Sequence, residues 1–197
     1  PKRVWDFKEA SKTQKTIYLT FDDGPIPKVT PWVLATLENF NAKASFFCIG
    51  ENLQKHPEIA HAIVEAGHSL GNHTQHHVNG WKTSFEKYVN EVELTQDEFK
   101  KQKIKTRIFR PPYGRMTSKQ GDFVLQEGYQ IIMWDVLTKD YAQQLNPKIL
   151  LEKSIAATSN GSIVVFHDSK KAFKNLNYIL PKYLAHFSKL GYHFKSI

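Results

Sequence analysis

Short apolar runs alternate with helical stretches along almost the whole chain, and this alternation restricts the fold more than any other feature. Runs rich in apolar and β-branched residues predict strands, and the stretches between them repeat apolar residues with helical periodicity. Strands that alternate with helices form a parallel sheet against which the helices pack. The predicted strands are residues 16–22, 43–50, 68–72, 107–110, 129–135, 162–168 and 192–197, and the predicted helices are residues 29–39, 57–66, 85–101, 118–127, 147–158 and 176–189.

Length and composition predict one α/β domain. The chain has 197 residues, 41% of them apolar, which is enough for one sizeable core. Its single cysteine permits no internal disulfide. About seven strands are too few for the eight of a complete TIM barrel. Residues 1–14 precede the first predicted strand and are predicted to be an N-terminal extension of the domain at residues 15–197.

The formal charge of +8 does not by itself predict a nucleic-acid partner. Lysines are scattered, and the densest cluster, at residues 100–105, falls at a predicted helix end, where a solvated cationic terminus is usual. Aromatic and basic residues do not interleave as they do in recognition modules. No run approaches the roughly 20 apolar residues of a membrane helix, and we recognise no secretory signal. We therefore expect neither a nucleic-acid partner nor a transmembrane segment in this chain.

Two adjacent acids end the first predicted strand, where residues 20–24 have the sequence TFDDG. Gly24 and Pro25 break the strand and leave Asp22 and Asp23 at a loop. Since side chains alternate along a strand, the two carboxylates are expected to point apart, so that one holds a metal while the other is free to take a proton. The alternative is an ordinary turn, in which Asp-Gly is common.

Two histidines four residues apart form a second candidate motif. His73 and His77 would share one face of a helical turn, a spacing that suits a zinc-class cation. One carboxylate and two imidazoles leave a coordination position open for water or substrate, as catalytic sites need. Surface or core histidines are the alternative reading, and His76, with the less suitable spacing, ranks below His77 as a ligand.

These two motifs and three others resemble the five ordered motifs of the polysaccharide deacetylases, carbohydrate esterase family 4. The third has the sequence RPPY, the fourth is Asp-Tyr and the fifth Phe-His. Any one of them is weak evidence, whereas five in the right order over most of the chain are specific. The five motifs are residues 20–24, 73–77, 110–113, 140–141 and 166–167.

The resemblance implies an incomplete (β/α)7 TIM-like barrel with residues 15–197 as the catalytic domain. It assigns the metal to Asp23, His73 and His77, and the cofactor to one divalent ion, zinc in the first place, with cobalt, nickel or manganese as alternatives. Every candidate residue follows the carboxyl end of a predicted strand, the face on which such barrels carry their active sites.

The resemblance also implies the catalytic groups. Asp22 would be the catalytic base, held in place by Arg110. His167 would give a proton to the leaving amine. For that role it must be protonated, which a nearby carboxylate such as Asp140 or Asp168 favours, and the resemblance implies Asp140 as the residue that orients it. A divalent metal polarises the amide carbonyl and lowers the pKa of bound water to about 7.

Four residues are predicted to line the substrate groove. Tyr113 would line it and offer its backbone N–H to the oxyanion, with Pro112 beside it, and Tyr141 would form an aromatic wall. Trp81 follows Gly80 near the second motif and is a candidate platform for stacking a sugar ring.

Three positions depart from the family pattern. Leu137 replaces the first acid of the fourth motif, Tyr141 replaces its tryptophan, and Phe166 stands where an aliphatic residue is usual. We expect Tyr141 to change the depth of the groove, and the larger Phe166 to narrow the pocket for the acetyl methyl group.

The sequence thus predicts a metal-dependent hydrolase that removes N-acetyl groups from N-acetylglucosamine-containing glycans of the peptidoglycan or chitin type. An amidase acting on a small non-sugar amide is the first alternative, and a glycan-binding module without turnover is the second. The resemblance implies a cell-envelope or extracytoplasmic location, with the cytoplasm as the alternative, and the oligomeric state is left open.

Overall fold

The structure is a computed structural model that describes residues 2–197. Within these residues, nine strands form one sheet. They are β1 (Arg3–Val4), β2 (Thr16–Asp22), β3 (Ser45–Cys48), β4 (Ser69–Asn72), β5 (Ile108–Phe109), β6 (Gln130–Ile132), β7 (Val136–Leu137), β8 (Ile163–His167) and β9 (His193–Lys195).

Parallel pairing curls these strands into an incomplete barrel. Neighbours follow the order β1-β6-β5-β4-β3-β2-β8-β7, and β9 pairs with β2. Strands β6 and β7 are consecutive in the chain but are not paired in this order, so the ring is open between them. This confirms the predicted incomplete (β/α)7 barrel in a single domain.

In the described part of the chain, seven α-helices connect the strands, and local capping sets several of their ends. Thr117 and Gln120 form a reciprocal capping box at α5, and the Asn146 side chain caps α6, whose first residue is Pro147. Gly128 follows α5 with a φ of 83°, as expected after a helix end. The helices are α1 (Val29–Glu38), α2 (Gly50–Lys55), α3 (Pro57–Glu65), α4 (Phe85–Lys101), α5 (Ser118–Gln126), α6 (Pro147–Ala157) and α7 (Phe173–Lys189).

Because side chains alternate along a strand, each strand contributes residues to two cores, one against the helices and one inside the barrel. Leu19 and Phe21 of β2 face outward and pack with residues of the helices, including Leu180 and Tyr183 of α7. Tyr18 of β2 belongs instead to the inner cluster around Phe47, Ile132 and Ile163. Positions that alternate with the outward residues therefore face the barrel interior, and Asp22 is the last of them on β2.

The predicted N-terminal extension, whose residue 1 lies outside the described residues, is attached to this sheet. Arg3 and Val4 pair in parallel with Ile131 and Ile132 at the open edge of β6. Asp6 forms an isolated antiparallel bridge with Ser162. The segment thus lies along the gap in the barrel, and the domain boundary at residue 15 stays a prediction.

The predicted elements correspond closely to the observed ones, with two differences in detail. Residues 129–135 were predicted as one strand, whereas the structure has β6 and, after a break at residues 133–135, β7. Helix α2, which was not predicted, begins at Gly50, where the second predicted strand was expected to end. Within residues 2–197, no helix has both the length and the apolar character needed to cross a bilayer.

Candidate active site

The candidate residues meet at the carboxyl ends of neighbouring strands. Asp22 and His167 end β2 and β8 and are register partners. His73 directly follows β4, and Arg110 directly follows β5. Because all of these strands are parallel, their ends share one face of the barrel, and residues far apart in sequence become neighbours.

Three side chains form a cluster that fits a metal ion. One ligand atom from each of Asp23, His73 and His77 lies within 4.8 Å of the other two. The Oδ1 atom of Asp23 lies 3.3 Å from Nε2 of His77 and 3.9 Å from Nε2 of His73. This Oδ1 atom is buried and has no hydrogen-bond partner among the described residues. A buried acceptor without a donor, facing two imidazole nitrogens, suits a divalent cation.

The surroundings of His73 leave one of its nitrogens free for a ligand. Nδ1 lies 2.7 Å from the carbonyl oxygen of Arg110, which can only accept, so Nδ1 carries the proton. Burial lowers the pKa of His73 to about 3, so the ring is neutral at physiological pH. The lone pair therefore lies on Nε2, and a second hydrogen bond fixes the ring as it does in metal-ligating histidines.

The histidine pair comes together in a different way from the one predicted. Residues 73–77 form a loop and not a helical turn. Thr74 and His77 have φ values of 64° and 54°, which are uncommon for residues other than glycine. A side-chain acceptor supports the bend, since Oδ1 of Asn72 accepts the Thr74 N–H at 2.9 Å. The two rings then lie 5.1 Å apart between centroids.

Asp22 and Arg110 form a fully buried ion pair beneath this cluster. Nη1 of Arg110 donates to Oδ1 of Asp22 at 2.8 Å and to Oγ1 of Thr20 at 2.7 Å. Nε and Nη2 donate to the carbonyl oxygens of Ile132 and Met133. Burial acts to raise the pKa of Asp22, but the Arg110 charge, with smaller effects from His73 and His167, outweighs it and lowers that pKa. Asp22 is therefore held as a carboxylate.

The two adjacent acids do not point apart as the strand pattern predicted. Strand β2 ends at Asp22, and Asp23 has a φ of 83°, which turns its side chain back towards the barrel mouth. As a result, Nε2 of His73 is 3.9 Å from Oδ2 of Asp22 and also 3.9 Å from Oδ1 of Asp23. The acids differ in their partners: Asp22 pairs with Arg110, while Asp23 faces the imidazoles.

A second charged pair, His167 and Asp140, lies at the end of the neighbouring strand β8. Nδ1 of His167 lies 2.7 Å from Oδ1 of Asp140, and the His167 backbone N–H donates to Oδ2 at 2.8 Å. Burial acts to lower the pKa of His167, but Asp140, with smaller effects from Asp23 and Asp22, outweighs it and raises that pKa to about 9. The ring is thus an imidazolium at neutral pH, with Nε2 directed away from Asp140.

The sequence profile described as polysaccharide deacetylase matches residues 9–132, more than half of the chain. The chain belongs to the polysaccharide deacetylase family. A peptidoglycan-N-acetylglucosamine deacetylase of Bacillus cereus is 31% identical over 191 residues, covering 96% of this chain and 89% of that protein. PgdA of Listeria monocytogenes, with the same activity in its name, is 36% identical over 162 residues, and the match spans only 34% of its length.

Solved structures show the same fold. The peptidoglycan deacetylase PdaC from Bacillus subtilis is 26% identical, with a TM-score of 0.84 over 93% of this chain and 88% of that one. A family 4 pseudoenzyme from Bacillus anthracis, at 23% identity, has a TM-score of 0.88 over 100% of this chain and 68% of its own. The likeness to the pseudoenzyme shows the fold alone.

Aromatic residues border the mouth of this deacetylase-family barrel. The Tyr113 ring lies 4.6 Å from the His77 ring, and the Tyr141 ring meets the His167 ring edge-on at 4.9 Å. Trp81 is 65% exposed, and its indole N–H donates to the Met116 carbonyl oxygen at 3.3 Å. Tyr113 is 58% exposed, whereas the adjacent Pro112 is buried. The contacts to substrate assigned to these residues stay predictions.

The expectation for Phe166 was wrong. Its side chain is fully buried, stacks on Phe21 at 5.6 Å and meets Tyr183 of α7 edge-on at 5.5 Å. The reason is strand alternation: because His167 faces the barrel mouth, its neighbour faces the helices. Phe166 thus belongs to the outer core and does not narrow a pocket for the acetyl group. Leu137, the other departure on a strand, is partly buried at the end of β7.

Several polar residues that support the site have no conspicuous sequence signal. Glu91 of α4 is buried and accepts from both the backbone N–H and Nδ1 of His76, which explains why His76 faces away from the cluster. Asp168 was considered as a partner of His167, but its carboxylate bonds to Gly24 and Thr30 instead. Glu91 lies within an ordinary amphipathic helix, so only the three-dimensional arrangement reveals its contacts.

Proposed function

We propose that this protein is a metal-dependent N-deacetylase that hydrolyses N-acetyl groups of N-acetylglucosamine-containing glycans, of the peptidoglycan or chitin type. The observation that carries the proposal is the grouping of Asp23, His73 and His77 at the barrel mouth. Two ion pairs accompany this cluster, Asp22 with Arg110 and His167 with Asp140. Named relatives that act on peptidoglycan and chitooligosaccharides support the substrate class.

The cluster fits a divalent cation, zinc in the first place, because its donors are one carboxylate oxygen and two imidazole nitrogens. When bound, the cation polarises the amide carbonyl and activates water. Asp23, His73 and His77 would hold it, and the hydrogen bond from His73 to the Arg110 carbonyl keeps one ligand ring oriented.

Protein groups then move the protons of amide hydrolysis. Asp22, ionised beside Arg110, takes a proton from the water that attacks the acetyl carbonyl carbon. His167, protonated beside Asp140, gives a proton to the amide nitrogen as the carbon–nitrogen bond breaks. Acetate and a free amine result. Because β2 and β8 are neighbours, the base and the acid end adjacent strands and are register partners.

The mouth of the barrel supplies the remaining contacts. The backbone N–H of Tyr113 is the proposed donor to the developing oxyanion, and Pro112 fixes the turn that presents it. The Tyr141 ring lies against His167 and limits the access of water to it. A glycan-binding module would have no need for the two charged pairs, which favours turnover over binding alone.

Acetate release from a panel of compounds tests this function. Chitin oligomers, peptidoglycan fragments and small linear and cyclic amides are compared with and without a chelator, followed by addition of zinc. We expect acetate from an N-acetylglucosamine oligomer, its loss with chelator and its return with zinc. Turnover of a small amide alone would support the amidase instead, and glycan binding without turnover of any compound would support the binding module.

Trp81→Ala is expected to weaken binding of a long substrate without changing chemistry. An exposed indole stacks on a sugar ring, so its removal is expected to raise KM for a glycan oligomer by roughly three- to tenfold, with kcat within about twofold. Trp5, which is 49% exposed, provides a matched control as Trp5→Ala, with KM expected to be unchanged. A wild-type KM in the Trp81 variant would remove this residue from the groove.

A further inference from the structure

Asp168 connects the end of β8 to the loop that carries Asp23. Its carboxylate is fully buried. One oxygen accepts the Gly24 backbone N–H at 3.0 Å, and the other accepts the Thr30 hydroxyl at 2.6 Å. The Asp168 N–H in turn donates to the Asp22 carbonyl oxygen at 3.1 Å. Although it follows His167 in sequence, this residue contacts the loop after β2 and not His167.

The peptide unit between Asp23 and Gly24 is held at both ends. Its N–H is bound by Asp168, and its carbonyl oxygen accepts from Nδ2 of Asn52 at 2.8 Å. Asp23 has a φ of 83°, which is unfavourable for a residue with a Cβ atom. Such a conformation persists only where the surrounding contacts determine it. These two contacts hold the Asp23–Gly24 peptide in the conformation in which the Asp23 side chain faces the histidines.

The Asp168 carboxylate also packs closely against this loop. A Cβ atom placed on Gly24 would lie 2.0 Å from Oδ2 of Asp168, so the carboxylate is packed directly against the Gly24 Cα. Thr30, at the start of α1, holds the carboxylate from the other side and also accepts the Ile26 N–H at 2.8 Å. The loop of residues 23–26 is thus tied to the first turn of α1 through one buried acid.

We propose that Asp168 is a positioning residue for the cation site: it fixes the Asp23–Gly24 peptide so that Oδ1 of Asp23 faces His73 and His77. The inference rests on the proposed metal-dependent function. Its consequence is specific, because losing Asp168 should weaken cation binding, whereas the Asp22–Arg110 and His167–Asp140 pairs have their own contacts and should persist.

Two substitutions remove the hydrogen bonds of Asp168 to different extents. Asp168→Ala removes both acceptors and leaves a buried Gly24 N–H without a partner. Asp168→Asn keeps one carbonyl oxygen that can still accept from Gly24, but its amide group cannot accept from the Thr30 hydroxyl. Cation affinity should therefore fall in the order wild type, Asp168→Asn, Asp168→Ala.

Calorimetric titration of the metal-free proteins with Zn²⁺ provides the test. We expect one ion per wild-type chain, at least about tenfold weaker binding in Asp168→Ala, and roughly threefold weaker binding in Asp168→Asn. At saturating zinc, much of the lost kcat should return, since the catalytic pairs are intact. If Asp168→Ala does not fold, Asp168→Asn carries the test.

Asp135→Ala is the matched control. Asp135 also accepts a backbone N–H, from Ile163 at 2.8 Å, and a hydroxyl, from Ser162 at 2.9 Å, but at the amino-terminal end of β8. The Asp135→Ala substitution is expected to lower the melting temperature. It should leave zinc affinity within about twofold, because Asp135 lies far from Asp23, His73 and His77.

Two results would overturn the proposal: wild-type affinity in the Asp168 variants, or an equal loss of affinity in Asp135→Ala. The first would show that Asp23 is oriented without Asp168, and the second that any loss of stability weakens the site. A wild-type chain that takes up no zinc would instead reject the proposed function itself, together with this inference.

Discussion

Asp22→Asn is expected to lower the rate of acetate release about 10²- to 10⁴-fold while zinc affinity stays within about twofold. The carboxamide cannot take a proton, so the base is lost, but its oxygen can still accept from Nη1 of Arg110. Arg110 also keeps its other partners, Thr20 and the carbonyl oxygens of Ile132 and Met133. Rates measured at saturating zinc, beside calorimetric zinc titration, separate chemistry from binding.

Asp23→Asn supplies the comparison, because it makes the same chemical change one residue along the chain. Its expected result is the reverse, a large loss of zinc affinity with the Asp22–Arg110 pair undisturbed. The comparison is sharp because both acids approach Nε2 of His73 to 3.9 Å, so distance alone does not separate their roles. Unchanged rates in Asp22→Asn would show that Asp22 is not the base. Loss of zinc binding in the same variant would place Asp22 among the metal ligands.

Much of the fold could be predicted because long elements carry strong periodicity. Strand β2 was predicted at its observed limits, and the 17-residue helix α4 was predicted residue for residue. Three elements escaped prediction: β1, β7 and the 6-residue helix α2. Strands of two residues, such as β1 and β7, are too short to show alternation, and their pairing depends on neighbours distant in sequence.

The residues at the barrel mouth could be predicted more reliably than their geometry. Motif spacing placed His73 and His77 together, yet a loop with positive φ angles brings them together and not a helical turn. Strand alternation predicted that the carboxylates of Asp22 and Asp23 point apart. It does not apply to Asp23, because β2 ends at Asp22, the residue before it. Periodicity describes regular elements, whereas these residues lie just beyond them.

Supporting contacts were the least predictable part of the site. Asp168 and Gly24 are 144 residues apart, and nothing in either segment indicates a hydrogen bond between them. With Phe166 the prediction erred the other way, by placing in the site a residue that does not belong there. It was assigned to the acetyl pocket because it lies in the fifth motif, but strand alternation turns its side chain towards α7. Which side of a strand faces the barrel has to be settled before a motif residue is placed in a site.

Asp140→Asn is expected to move the alkaline limb of the kcat/KM profile to lower pH by more than about one unit. In the wild type, the pKa of His167 is raised to about 9, so the proton donor is present below that pH and is lost as pH rises through it. Without the Asp140 charge and hydrogen bond, burial lowers the pKa of His167, and only the smaller effects of Asp23 and Asp22 still raise it. Less of the variant ring is then protonated at alkaline pH, where kcat is expected to fall about tenfold.

The same pair links stability to pH, which gives an independent measurement. Because the folded pKa of His167 lies above its unfolded value, the contribution of its charge to stability is fully present below about pH 6.5 and is lost as pH rises through about 9. The difference in unfolding free energy between wild type and Asp140→Asn should therefore be largest at acidic pH and shrink towards pH 9. An alkaline limb that stays in place in the variant, with a pH-independent stability difference, would show that Asp140 only orients the ring and that another group sets its charge.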